Sequence, residues 1–507
     1  MQGFFCILQV MSRLLYMFLA IVFVSCGADD DGNAPLDDGT PPVITLIGPD
    51  RITLTIGSEF VDPGATALDN IDGDLTNNIE VVGQVNIGVL GEYVLTYTVA
   101  DTAGNQANKE RVITIIADLD CAGGNVVFLA ENGVTVKACP NAVVGESGIL
   151  NGVEYLIVDE TTLRAKILDG EQGIDKLVTT YVTDMSYLFS IPLRYNQDIG
   201  SWDVSNVTNM EYMFRAQFLF DQDLSFWDVS NVTKMAGMFD GALQFNQPIG
   251  NWNVSNVTDM SGMFRSTTFF NQPIGNWNVS QVTDMSGMFY ESRDFNQPID
   301  NWDVSQVTSM NEMFAFAEHF NQPIGNWNVS HVTATRYMFA AAFDFNQPLD
   351  QWDVSNVTDM RAMFTNAYVF DQNIENWNVS NVTNMEGMFT GTENFNSPLA
   401  NWDVANVSDM SYMFYYSDVF NQDIGNWNVG NVTNMEGMFA GNLNFDQPLD
   451  SWNVSNVTDM SYMFYYCPLF NQDLSSWAVN SVLDCESFGA ESFNWVLPQP
   501  DFMNCTP

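Results

Sequence analysis

The chain has 507 residues, room for two to four ordinary domains or for one long repeat array. Lys and Arg number 15 against 62 Asp and Glu, a formal net charge of −47. So acidic a surface repels phosphate backbones and anionic headgroups, which excludes nucleic-acid binding and a polybasic membrane patch. Two histidines leave little for histidine-based acid–base or zinc chemistry.

Residues 12–25, SRLLYMFLAIVFVS, set Arg13 before a short apolar run that ends in small Ser25. Residues 1–25 therefore read as a cleavable secretory signal, the run being shorter than the roughly 20 residues a span needs. Phe23-Val24-Ser25-Cys26 resembles a bacterial lipobox, with Phe23 where leucine is usual. That resemblance implies a lipidated Cys26. Residues 26–40 are acidic and rich in turn formers, and read as a disordered tether. Acidic residues directly after such a cysteine also resemble surface-export signals of Gram-negative lipoproteins. The expected place is thus the outer membrane, displayed at the cell surface and held to the membrane only by its lipid anchor.

Residues 41–117 alternate short β-rich runs with glycine-marked turns: 43–47, 52–56, 79–85, 93–99 and 111–116. Strands at this spacing predict a small sandwich. The run from Asp69 to Thr76, DNIDGDLT, then Gly91-Glu92-Tyr93 and Asp101-Thr102-Ala103-Gly104-Asn105, resembles bacterial surface Ig-like domains. The resemblance implies a spacer or adhesive stalk. Asp69, Asp72 and Asp74 could hold Ca²⁺, the one cofactor the sequence suggests, but Ile71 breaks the spacing of an EF-hand loop. Solvated turn aspartates are the stronger reading.

From residue 177 onward a 25-residue period rules the chain, with tryptophan at Trp202 and every 25th residue thereafter to Trp477. Such a period signals a solenoid whose units bury their apolar faces only against neighbours. In one unit, Ile249-x-x-Trp252-x-Val254 has the spacing of a leucine-rich-repeat strand, with Trp252 and Val254 on one face. Met260, Met263 and Phe264 recur at i, i+3 and i+4, which predicts a short helix with Thr258 as N-cap. Thr208-x-x-Glu211 and its equivalents would complete a capping box. The expected fold is mostly β with short helices: an Ig-like sandwich, then a leucine-rich-repeat-type β/α solenoid of about 13 repeats over 177–480. The unit beginning Trp352-Asp353-Val354-Ser355-Asn356-Val357-Thr358-Asp359-Met360 resembles the BspA-like leucine-rich-repeat surface proteins. The resemblance implies an exported surface protein that binds host or cell-surface macromolecules.

A solenoid needs covered ends. Residues 118–176 carry two Asn-Gly hairpin signals, Asn132-Gly133 and Asn151-Gly152, then a helix pattern from Thr161 to Asp169 closed by Gly170. Residues 481–507, where the repeat decays, read as the C-terminal cap. Cysteines fall at the two ends, where an exported protein would staple its caps. Cys121 with Cys139 is the expected N-terminal pair. Of Cys467, Cys485 and Cys505 one must be left over; Cys485 with Cys505 is the expectation, though spacing does not choose.

Residues either side of each inward tryptophan should point outward, giving a face of amides and carboxylates. Asp203, Asp228, Asp303, Asp353 and Asp403, with Phe226 as a break in the pattern, are candidate contacts for an extracellular protein or polysaccharide. Stacked ladders of asparagine are the competing structural explanation. Tyr415, Tyr416, Tyr465 and Tyr466 also break the pattern, with edge packing as the alternative. Repeated Asn-Val-Thr triplets match a glycosylation acceptor, but turn and cap roles explain them. No nucleophile, metal-ligand or phosphate-loop motif stands out, so the chain is expected not to be an enzyme. The expected function is adhesion or ligand binding, with Ca²⁺-dependent self-association as the alternative.

Overall fold

The computed structural model describes residues 39–55, 58–89, 91–116, 121, 124–170, 173–190 and 195–507. The expected signal, Cys26 and most of the tether lie outside the described residues. The chain divides into two compact units, Met1–Asp118 and Leu119–Pro507.

The first unit contains β1 (Val43–Leu46), β2 (Arg51–Thr55), β3 (Ala65–Asp69), β4 (Gly73–Asp74), β5 (Glu80–Val82), β6 (Gly91–Ala100) and β7 (Gln106–Ile116). They form one sheet in the order β1-β3-β4 and another in the order β2-β7-β6-β5, with β2 parallel to β7. The long β6–β7 hairpin buries alternate residues: Tyr97 and Val99 point into the core, as do Ile113 and Ile115 further along the partner strand. Strand β3 was not anticipated, because Ala-Thr-Ala-Leu-Asp lacks the β-branched and aromatic run that marks a strand.

Arg111 carries a fully covered charge into this core. The Arg111 guanidinium is fully covered and donates to the Tyr97 hydroxyl at 2.8 Å, to the carbonyl oxygens of Ile47 and Pro49, and to the Asp62 carboxylate. A buried guanidinium is tolerated only when its donors are satisfied in this way.

The second unit opens with the two hairpins expected from Asn-Gly: β8 (Val127–Leu129) with β9 (Val136–Ala138), and β10 (Ser147–Leu150) with β11 (Val153–Ile157). Asn151 and Gly152 take positive φ of 52° and 79°, as a two-residue hairpin turn requires. Helix α1 (Glu160–Leu168) follows, and the Asp159 side chain accepts from the Thr162 amide at its start. The short β12 (Leu177–Val178) then pairs in parallel with β11.

Beyond β12 the chain makes 25-residue coils joined by single parallel bridges, from Asp184–Asn209 through Asp459–Asp484. The seam lies where a helix was expected. In the coil containing Trp252, the amides of Met260, Gly262, Phe264 and Ser266 donate to carbonyls of the next coil, while those of Met263, Arg265 and Thr267 donate three residues back within their own coil. This alternation leaves no donor for the i→i−4 pattern of an α-helix. Gly262 and Ser266 also sit at positive φ, 58° and 52°, which a right-handed helix cannot accommodate. The expected helix is therefore a run of overlapping turns, and Thr258 is no N-cap: its hydroxyl donates to the Thr233 carbonyl of the preceding coil. The expected strand at Ile249–Val254 has no ladder either; it closes into turns, with Trp252 N–H donating to Ile249 and Val257 N–H to Val254. Met, Met, Phe at i, i+3, i+4 fits consecutive turns as well as a helix, and the neighbouring coil decides between them by offering carbonyls.

Inside the coils run continuous aromatic columns. Trp252 and Trp277 stack at 6.5 Å and 2°, Phe264 and Phe289 at 5.7 Å, and Phe264 lies 4.0 Å from Phe270 of its own coil. Every indole of the period, from Trp202 to Trp477, donates from Nε1 to a main-chain carbonyl 28 residues earlier, as Trp327 does to Ile299 at 3.1 Å. The rings are buried and their one polar atom is satisfied, which is the condition for burying tryptophan at low cost.

Candidate binding surface

The regular polar residues of the coils are consumed by the stack. Asn256 donates from its side chain to the Ser230 carbonyl of the preceding coil, and its equivalents repeat that bond. The Asn271 carboxamide oxygen accepts the Asn296 amide and the Gln297 side chain of the next coil. Asparagine ladders thus exist, but mainly away from the slot after tryptophan. There Asp228, Asp303, Asp353 and Asp403 each accept from the amide two residues on, capping a turn of their own coil while staying exposed. Hydrogen bonds from Ser355 hold the Asp353 carboxyl below the usual carboxylate range.

Asp203 departs from the expected outward face. It is 2 % exposed, accepts from the hydroxyls of Thr180 and Ser205, and pairs with Lys137 of the cap at 3.3 Å. The first coil leans on β9 here, so the slot is covered. Asp203, Asp228 and Phe226 nonetheless meet at one recess of about 420 Å³ beside Lys137 and Asn132. Phe226 is 44 % exposed at its edge. Asp303, Asp353 and Asp403 lie further along the array.

A second surface follows from the turn geometry. Each regular coil places two residues four apart in the left-handed region, such as Glu312 and Phe316, both at φ 58°, or Tyr412 and Tyr416, at 57° and 51°. Non-glycine residues there are uncommon and strained. Tyr187, Phe316, Tyr416 and Tyr466, all at such positions, are exposed. The rings lie along the stack over small residues of the next coil: a Cβ at Gly437 would stand 2.7 Å from the Tyr412 ring, and one at Gly441 the same distance from the Tyr416 ring. Where tyrosine follows tyrosine the rings stack, Tyr187 on Tyr212 at 5.0 Å.

Arginine, scarce in this chain, gathers on the same edge. Arg215 pairs with Asp240 at 3.2 Å, Arg265 with Glu312 at 3.1 Å, and Arg361 with Glu386 at 3.0 Å. The Arg265 guanidinium also lies 3.7 Å over the Tyr290 ring. Burial raises the Asp240 carboxyl against the opposing pull of Arg215 and Arg265. The sequence held a signal for this edge that went unread: Arg215 and Arg265 share one repeat offset, and Arg336 and Arg361 another.

In the first unit the three aspartates proposed for Ca²⁺ serve main-chain groups separately. Asp69 accepts from Ile71 and Asp72, Asp72 from Thr102, and Asp74 from Thr76. Among the described residues no group of three acidic, histidine or cysteine side chains is placed to hold a metal ion. Cys121 is bonded to Cys139 and Cys485 to Cys505, and the remaining described cysteine, Cys467, is buried with its thiol donating to the Phe439 carbonyl.

Four overlapping stretches, residues 161–276, 261–369, 344–440 and 398–498, match the family described as Mycoplasma protein of unknown function, DUF285. The chain belongs to the DUF285 family. The matches cover the DUF285 coils from α1 to the last turns before the C-terminus. Residues 44–115 match the bacterial surface protein Ig-like domain, which fits the two-sheet first unit and points to a cell-surface protein. No curated protein matches the chain. Neither family description names an enzyme, and no helix among the described residues is long and apolar enough to cross a membrane.

Proposed function

We propose that the chain is a non-enzymatic surface lipoprotein, anchored through Cys26 in the outer membrane of a Gram-negative bacterium. In this reading the Ig-like unit is a stalk, and the DUF285 coils are a leucine-rich-repeat-type solenoid of the BspA-like kind that binds extracellular protein or polysaccharide. One observation carries it: the repeated polar groups are spent on bonds between coils and on turns within them, whereas side chains that break the repeat, Phe226 and the left-handed rings of Tyr187, Phe316, Tyr416 and Tyr466, stand exposed. A framework saturated within itself and studded with exposed rings is the physical profile of a binding surface. The bacterial surface Ig-like match supports the address.

The test uses the full chain expressed in a Gram-negative host. Lipid incorporation that is lost in Cys26→Ala, together with dose-dependent capture of cells on an array of matrix proteins and glycans, is the expected result. Cells that sediment together only with Ca²⁺ and are retained on no probe would replace binding by self-association.

A further inference from the structure

We infer that the coil edge around Phe316 and Tyr337 is a subsite for a neutral glycan, deepening the binding reading above and resting on it. A recess of about 280 Å³ opens there, the size of a small-ligand site, floored by Ala315, Ala340 and Ala341 and walled by Tyr290, Phe316 and Tyr337. The floor is opened by two successive coils: Ala315 and Ala340 stand at the repeat offset that Arg265 and Tyr290 fill in the two coils before. Phe316 stands 41 % exposed in the strained left-handed conformation, so an apolar ring is held at the rim at a cost in stability. The next coil, which carries Tyr337 and Ala340, also breaks the buried methionine column. Thr335 occupies that slot, 2 % exposed, and its hydroxyl finds no partner. An alanine floor, an exposed ring and a break in the methionine column thus fall on neighbouring coils, and such departures from the repeat are where a functional site is expected.

The chemistry selects the ligand. Arg265, Glu312, Thr365 and Asn366 supply both donors and acceptors around the rings. Arg265 is already paired with Glu312, so the recess offers no uncompensated positive charge to an anion. A neutral sugar residue presents one apolar face and a rim of hydroxyls that both give and accept hydrogen bonds; it matches rings beside paired polar groups. An acidic polysaccharide would meet the field of a chain at −47.

The experiment measures retention of the full chain, kept in detergent, on immobilised neutral polysaccharides (β-glucan, mannan and galactan), on polygalacturonate and on matrix-protein probes. Phe316→Asn removes the ring but suits the left-handed backbone, and Asn366→Gly removes the amide on the same terms. Both should keep the wild-type melting temperature and lose at least tenfold in retention on a neutral polysaccharide, whereas Glu491→Asn, a left-handed position remote from the recess and without a ring, should lose less than twofold. Retention on protein probes or polygalacturonate alone, unchanged by Phe316→Asn, overturns this site and leaves the broader binding reading standing. Retention on nothing overturns both.

Discussion

At the scale of single residues, the periodic tryptophans join two kinds of energy in one side chain. Trp327 is buried, stacks on Trp302 at 6.4 Å and anchors the preceding coil through Ile299. Trp327→Ala removes the ring and orphans a buried carbonyl, and a loss of about 3–5 kcal/mol is expected from large-to-small core substitutions. Chemical denaturation read by the remaining tryptophans checks it. The left-handed positions make a subtler claim. Gly437→Ala adds a Cβ at φ 57° and drives it into the Tyr412 ring, so a loss of about 1–2 kcal/mol from the backbone alone is expected, plus the clash. Tyr412→Ser in the same chain should restore the steric part and not the backbone part. A double-mutant cycle of unfolding free energies separates the two.

At the scale of elements, what the sequence reveals and what it hides have distinct causes. The period, the inward Trp252 and Val254, the two Asn-Gly hairpins and helix α1 were all legible, because each is written in neighbouring residues. The seam was not. Met260, Met263 and Phe264 satisfy a helical burial pattern, yet the main-chain donors of this segment go to another coil, a partner 24 residues away that no local window includes. The candidate carboxylates were legible as residues in a repeat slot, but the covering of Asp203 by Lys137 depends on where β9 lies. Tyr416 was legible as a break in the repeat, but ring exposure at Phe316 was not, for the same reason as the seam: it follows from left-handed turns that helix-based reasoning replaces. A disulfide closes each end of the DUF285 unit, and Cys467 lies inside the last coils. Burial pushes its thiol well above the usual cysteine range. It should resist a thiol reagent at pH 8 in the native protein and react fully in denaturant, as read by peptide mapping at Cys467.

At the scale of the whole molecule, acid should reach the Ig-like unit through the carboxylate that faces its buried arginine. Burial works to raise the Asp62 carboxyl, but hydrogen bonds from Tyr97 and Gly64 and the Arg111 charge outweigh it and hold the group below its ordinary value. Burial, reinforced by Asp62, pushes the Tyr97 hydroxyl up to about 12. A depressed carboxyl contributes stability that is fully present above its unfolded value, near pH 4, and is lost as the pH falls through its folded value. The Ig-like unit should therefore weaken from about pH 4 downward, and Asp62→Asn should flatten that part of the profile while lowering stability at neutral pH. Hydrogen exchange of β6 and β7 reports it, since no tryptophan lies in that unit.

The claim beneath every functional reading is that coils donate main-chain hydrogen bonds to one another along a seam at the turns. Residue-resolved hydrogen exchange across the DUF285 coils tests it most directly. The expected result is slow exchange at Met260, Gly262 and Phe264 and at the residues 25 and 50 positions on, at a level shared along the array. Slow exchange confined to Ile249–Val254, or protection without the 25-residue period, would contradict it.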